Sequence, residues 1–429
     1  MAKKRGCLSK LLLLIAIIAV VVAATPLVPL SPLKSEVEAR LSETLGRKVT
    51  IASLRLSLIG GPYLAISGMT AAEDPQFGDG AFLRANEVRA HIDIIRYLQT
   101  RQIAIDSITL KSPQIDLIKN SNGVWDWTTL GRIPSRQSIS SLLVSGALCP
   151  LSIGAALFEG NVSATSLRKL RIESASVRLV DRTEPQSSGV LYKNINLNAA
   201  LASYADERTR AGTQAKGDLS VQSEEDGEAD HLRATFPFDL KIFGSDVATV
   251  SVSGSIGPGL LETQNVTIGA LAIDGGINAN KDSPLTGDGR LTATDLVIRT
   301  VNLSERVSSA LKLDQIGDMS PGTSVASLQT DFNISRGTVN TTGLHIDQLD
   351  GLGDATVPTG SFRIDSALTV NYAATVILSP EATARVKSMS STIGLFVTIL
   401  ETNNRLSVPI NIIGDVRNPE VQVDVSRIF

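Results

Sequence analysis

The chain has 429 residues, which allows two to four compact domains or one elongated repetitive body. Its 40 basic and 43 acidic residues leave a net charge of −3, without the basic domain that binding to nucleic acid calls for. Glycine is abundant and aromatics are only 4% of the chain, so any core is built from Leu, Ile, Val and Ala.

Lys3, Lys4, Arg5 and Lys10 open the chain, with no acid among them. Leu11 to Leu30 is then apolar apart from Thr25, Pro26 and Pro29, and about twenty such residues span a bilayer as a helix. The basic flank stays in the cytoplasm and the rest of the chain lies across the membrane. Val22 and Ala24 also fit a signal-peptidase site. The uncleaved anchor is the preferred reading because the apolar run continues to Leu30. Cys7 and Cys149 would lie on opposite sides of the membrane, so no disulfide is expected, and Cys7 lacks the lipoprotein cleavage pattern.

Ser31 and Pro32 start a helix, Leu33, Val37, Leu41 and Leu45 give it one apolar stripe, and Gly46 ends it. From Arg47 the period falls to two. Val49 and Ile51, Leu54 and Leu56, Leu64 and Ile66, Val88 and Ala90, Ile103 and Ile105, Ile108 and Leu110, and Ile115 and Leu117 alternate with polar residues. This is the pattern of strands with one dry and one wet face. Ser67 and Gly68 read as a turn. Residues 132–164, rich in Ser, Gly and Pro, read as a linker or a loosely helical crossing. The segment 103–120 weakly resembles 167–184, each a short strand leading into a second one. Alternation resumes at Leu170 and Ile172 and continues through Phe236, Phe238, Val250 and Val252, where Ser253 and Gly254 read as another turn. Helices are expected around Val301–Ile316 and from Ser379 to about Glu401, with strands between and after them.

The boundaries that follow are 1–10 for a cytoplasmic basic segment, 11–30 for the membrane helix and 31–46 for an amphipathic helix. A β region over 47–131, the linker at 132–164, a middle β region over 165–300 and a C-terminal β region with two helices over 301–429 complete the chain. About twenty one-sided strands need something to cover their apolar faces, and so few helices cannot do it. Either the sheets close on themselves as sandwiches or barrels, or another apolar substance, such as acyl chains, fills the face.

The segment "NGVWDWTTL" at 122–130 follows the strand "SPQIDLIKN". With the preceding membrane helix it resembles the N-terminal region of the AsmA family, whose members often carry Asn where Asp126 stands here. The segments "GSFRIDSALTVNYAATVILSP" at 360–380 and "LSVPINIIGDVRNPEVQVDV" at 406–425 are similar to that family's C-terminal strands. The resemblance implies a mainly β fold: an N-terminal transmembrane helix, then an elongated, curved antiparallel sheet forming an apolar-lined groove, with a few short helices. It implies an inner-membrane, single-pass protein with its bulk in the periplasm. The implied role is to bind or conduct phospholipid between inner and outer membranes and so maintain envelope lipid homeostasis. The alternative is a non-enzymatic scaffold or assembly factor for outer-membrane protein biogenesis, with an envelope protein as partner.

No catalytic constellation stands out: there is no Gly-x-Ser-x-Gly elbow, His91, His231 and His345 are scattered, and no metal or cofactor is implied. Trp125 and Trp127 read as a turn clamp with one ring packed and one partly exposed. The residues expected to face lipid are Ile103, Ile105, Ile108, Leu110, Ile115 and Leu117 in the first half. In the second half they are Leu368, Val370, Leu406, Val408, Ile410, Val421 and Val423.

Overall fold

The computed structural model describes residues 31–57, 62–93, 99, 105–130, 167–183, 189–205, 211–224, 231–246, 249–280, 283–310, 322–335, 338–350, 352–363, 369–389, 401–415 and 418–427. The expected membrane helix and the 132–164 linker lie outside these residues. No helix among the described residues is long and apolar enough to cross a membrane. The fold is mainly β and divides into two units, residues 1–229 with 244–247 and residues 230–243 with 248–429.

The first unit opens with helix α1 (Ser31–Leu45), ended by Gly46 at φ 65°. Strands β1 (Val49–Ser57), β2 (Tyr63–Ala72), β3 (Ala81–Ile92), β4 (Ile105–Lys111) and β5 (Gln114–Lys119) follow. After a 3-10 turn at Asp126–Thr129 come β6 (Lys169–Asp181), β7 (Val190–Ala205) and β8 (Ala211–Ser223). Neighbours pair antiparallel except at β6, which runs parallel to both β4 and β5. The sheet is therefore not purely antiparallel as expected; the long connection over 120–168 allows the chain to return in the same direction. β4 and β5 act as one strand broken at Ser112 and Pro113. The two segments read as an internal repeat lie side by side here, Ile108 opposite Leu170 and Ile115 opposite Val177. At the same offset Ser112 and Ser174 share a left-handed backbone, φ 46° and 51°.

Ser67 and Gly68 form no turn. Both sit inside β2, and Gly68, at φ 61° against Ala52, marks a kink where a Cβ would come within 2.8 Å of the Ala52 Cβ. The kink explains why burial in β1 changes phase between Ile51 and Leu54.

Helix α1 covers the outer edge of β1. The Glu38 carboxylate accepts the Ile51 N–H at 2.7 Å, and Ser42 Oγ accepts the Val49 N–H at 2.8 Å. Side chains thus occupy donors that a bare edge would offer to another chain. Glu38→Ala should cost about 1–2 kcal/mol, since one buried donor loses a charged acceptor. Chemical unfolding checks the loss, and an unchanged midpoint would mean that the edge is indifferent to this contact.

The second unit holds β9 (Leu232–Asp246), β10 (Thr249–Thr263), β11 (Val266–Asn280) and β12 (Ser283–Ile298), then helix α2 (Leu303–Ala310). It continues with β13 (Thr323–Ser335), β14 (Thr338–Leu349), β15 (Gly353–Arg363) and β16 (Thr369–Leu378). Helix α3 (Pro380–Met389), β17 (Glu401–Thr402), β18 (Arg405–Asp415) and β19 (Glu420–Val423) complete it. From β10 on, the strands form an antiparallel meander, with β16 pairing β18 and β18 pairing β19. Ser253 and Gly254 lie in mid-strand, not in a turn. At Gly254 a Cβ would fall 2.1 Å from the Asp239 carbonyl oxygen, so glycine here permits close strand approach.

Both helices start as their sequences prescribe. Asn302 Oδ1 accepts the Glu305 N–H at 2.9 Å, and Ser379 Oγ accepts the Ala382 N–H at 3.1 Å ahead of Pro380. α2 is described to Ala310 and α3 to Met389. The apolar segment 393–400 lies outside the described residues.

Candidate functional site

Residues paired across a sheet share a face, so the registers of the second unit define its two surfaces. Val252 pairs with Ile277, and Ile256 with Ile273. Ile273 leads to Leu291, which leads to Thr330. Farther on, Ile334 leads to Val339, Phe362, Val370 and Gly414. Ile412 then pairs with Val421 and Ile410 with Val423. One apolar face therefore runs from β10 to β19. The opposite face carries Arg290 and Asp331, a cross-strand ion pair at 2.7 Å, and His345 with Asp347 at 2.8 Å.

Coverage of the apolar face is uneven. At one end Val307 of α2 and Ala382 and Val386 of α3 pack on Leu349, Leu352, Val376 and Leu378 in a buried cluster. Away from the helices, on β10 to β12 and farther along β13 to β15, Val252, Ile273, Leu291, Phe332, Val339 and Phe362 are only half-buried, as is Tyr372 at the border of the cluster. Ile256 and Ile277 are 37% and 41% exposed. Phe332 and Tyr372 lie over glycine: a Cβ at Gly289 would come within 2.9 Å of the Phe332 ring, and one at Gly360 within 2.0 Å of the Tyr372 ring. Bare backbone and two rings thus form part of this open apolar surface.

The residues expected to face lipid separate into three groups. Leu406, Val408 and Ile410 belong to the buried cluster beneath α2 and α3, with Val421 and Val423 packed against it. Val370 is half-buried on the open stretch of the same face. In the first unit, Ile105, Ile108, Leu110 and Ile115 are buried and Leu117 is half-buried. Ile108 stands between Ala90 and Leu170, all three with no exposed surface. Ile103 and Leu368 lie outside the described residues. The most open positions of this face, Ile256 and Ile277, are not among the residues expected to face lipid; glycines interrupt the alternation beside both, at 254 and 257 and at 275 and 276.

The Trp-Asp-Trp turn differs from the expected aromatic clamp. Both rings are half-buried, Trp125 with Lys119 Nζ 5.9 Å above it, and the fully buried member is Asp126. Its Oδ2 accepts the Ile118 N–H at 2.9 Å. Beneath the turn, Arg47 Nη1 donates to Glu73 at 2.7 Å, while Nη2 donates to the Asp126 carbonyl at 2.7 Å and to Thr129 Oγ1 at 3.1 Å. The guanidinium lies 4.4 Å from the Phe82 ring centre. Desolvation raises the Asp126 carboxyl to about 7, with Glu73 adding to the rise and the Ile118 N–H and Arg47 opposing it. One cation thus faces two carboxyl groups, of which that of Asp126 readily takes a proton. This polar knot ties the end of α1 to the β2–β3 connection and to the turn after β5. It is a structural lock, and nothing in it is open to a substrate.

No curated protein and no solved structure matches the chain significantly. Residues 1–273 match the sequence profile of the AsmA family. That span is more than half of the chain, and it contains α1, the locked Trp-Asp-Trp turn and the strands through most of β11. The segments 360–380 and 406–425 lie beyond it. On this match, the chain belongs to the AsmA family.

Proposed function

We propose that this protein is anchored in the inner membrane by residues 11–30 and binds phospholipid acyl chains on the open apolar face of its second unit. In this reading it carries or conducts phospholipid between the inner and outer membranes through the periplasm. It acts without catalytic residues or cofactor. The observation that supports the reading is the face from β10 to β19, closed by the protein's own helices at one end and open at the other. An open apolar surface of this kind asks for an apolar occupant. The family's envelope role supplies the lipid class.

Site-specific photocrosslinking of the full chain in native membranes tests this. A photoreactive phenylalanine analogue at Ile277 or Val339 should give adducts of phospholipid mass, and one at Asp331 on the opposite face should give none. The double substitution Ile256→Asp, Ile277→Asp should leave the fold intact and remove the adduct at Val339. A folded chain with no lipid adduct at either apolar position would sink the lipid reading and favour an assembly factor with a protein partner.

A further inference from the structure

The first unit has a second surface that the lipid reading does not use. Its registers align Tyr63, His91, Ser107, Lys169, Ala200 and Lys216 in one row across β2 to β8. The next row on the same face holds Arg55, Ala65, Arg89, Thr109, Arg171 and Asn198, ending at Asp218. A third row adds Glu87, Lys111 and Glu173. Glu87 binds Arg89 at 2.7 Å and Lys111 at 3.3 Å, and Glu173 lies 3.7 Å from Arg171. Positive charge dominates the first two rows, where Asp218 is the single acid, although the chain as a whole is net −3. Arg55, Lys169, Arg171 and Lys216 are exposed.

The position of these rows relative to the chain's entry matters. Helix α1 runs antiparallel to β1, because Ser42, Glu38 and Lys34 bond in turn to Val49, Ile51 and Ala52. Extending a helix rise of about 1.5 Å per residue against a strand rise of about 3.3 Å sets Ser31 level with Leu54 or Arg55. The twenty-residue apolar run of 11–30 therefore joins the fold beside the basic rows. The Trp-Asp-Trp turn, which Arg47 holds, lies at the opposite end of α1.

We propose that these basic rows dock on anionic phospholipid headgroups at the surface of the membrane that holds residues 11–30. The proposal rests on the anchoring proposed above and is independent of lipid on the apolar face. A single anchoring helix leaves the body free to swivel. Contacts from several Arg and Lys side chains to an anionic surface, each worth about fivefold in binding, hold the first unit in one orientation. The stripe is invisible along the chain because its members, from Arg55 to Lys216, come from separate strands.

Lysine acetylation of the full chain in lipid nanodiscs, read residue by residue by mass spectrometry, tests the docking. Discs of phosphatidylcholine are compared with discs in which about a third of the lipid is phosphatidylglycerol. Lys169 and Lys216 should react about fivefold more slowly in the anionic discs, with Lys241 and Lys387 unchanged as internal standards. Salt at about 1 M, where the Debye length is about 3 Å, should restore the rates. The exposed double substitution Arg55→Glu, Lys169→Glu should abolish the protection of Lys216. Equal rates in both discs, with the chain disc-bound, overturn the docking and leave the anchor standing. Protection that survives the double substitution overturns the assignment to these rows. A chain that enters neither disc overturns the anchoring, and the docking with it.

Discussion

Replacing Arg47 by Met should lower the stability of the first unit by about 3–5 kcal/mol at pH 7, the usual cost of leaving a buried charge without its partner. The Arg47 and Glu73 side chains are 2% and 1% exposed, so water cannot take the place of the guanidinium. Among the described residues Glu73 would keep the Asp74 N–H, at 2.8 Å, as its one remaining partner. Urea unfolding followed by circular dichroism measures the loss. A change below about 1 kcal/mol would show that the knot behaves as a surface ion pair does.

The same knot gives the fold a pH dependence of known sign. The Asp126 carboxyl is raised in the folded protein, to about 7 against an ordinary 3.8. The native state therefore holds a proton that the unfolded chain releases. The stability this contributes is full below about pH 4 and is lost as pH rises through about 7, up to about 4 kcal/mol for a shift of that size. Asp126→Asn keeps an oxygen for the Ile118 N–H and removes the titration. Its stability should stay flat between pH 4 and 8 and should match or exceed that of the natural protein above pH 7. Parallel slopes for the two proteins would overturn the raised carboxyl.

The second large effect is expected at Ile108. Asp placed between Ala90 and Leu170, where no side chain has exposed surface, sets a charge in a closed apolar layer with no partner. Ile108→Asp should cost more than about 4 kcal/mol and unfold the first unit, while Ile108→Ala should cost about 2–5 kcal/mol. At Ile277, 41% exposed, the same Asp substitution should cost about 1 kcal/mol or less. Thermal unfolding of the three variants separates the cases. A folded Ile108→Asp protein would mean that this layer is open to water or ligand. Ile277→Asp unfolding as readily as Ile108→Asp would close the proposed lipid surface.

Much of this architecture is written in local pattern. The four-residue spacing from Leu33 to Leu45 and the following Gly46 define α1, because helix periodicity and the left-handed preference of glycine act within a few residues. Two-residue alternation reveals the strands and shows which side chains share a face, as at Val370, Val408 and Val421, since the pleat is a property of each strand's backbone. Whether a face is covered is settled elsewhere. Ile108 and Ile277 carry the same side chain in one-sided strands, each flanked by two neighbours, yet Ile108 has no exposed surface and Ile277 is 41% exposed. That difference comes from strands and helices distant in the chain. The parallel return of β6, the burial of Asp126 beside Arg47 and Glu73, and the gathering of Arg55, Arg171 and Lys216 into adjoining rows are likewise decided by tertiary pairing. Burial and electrostatic fields depend on distances in space, which spacing along a sequence encodes only within a single element.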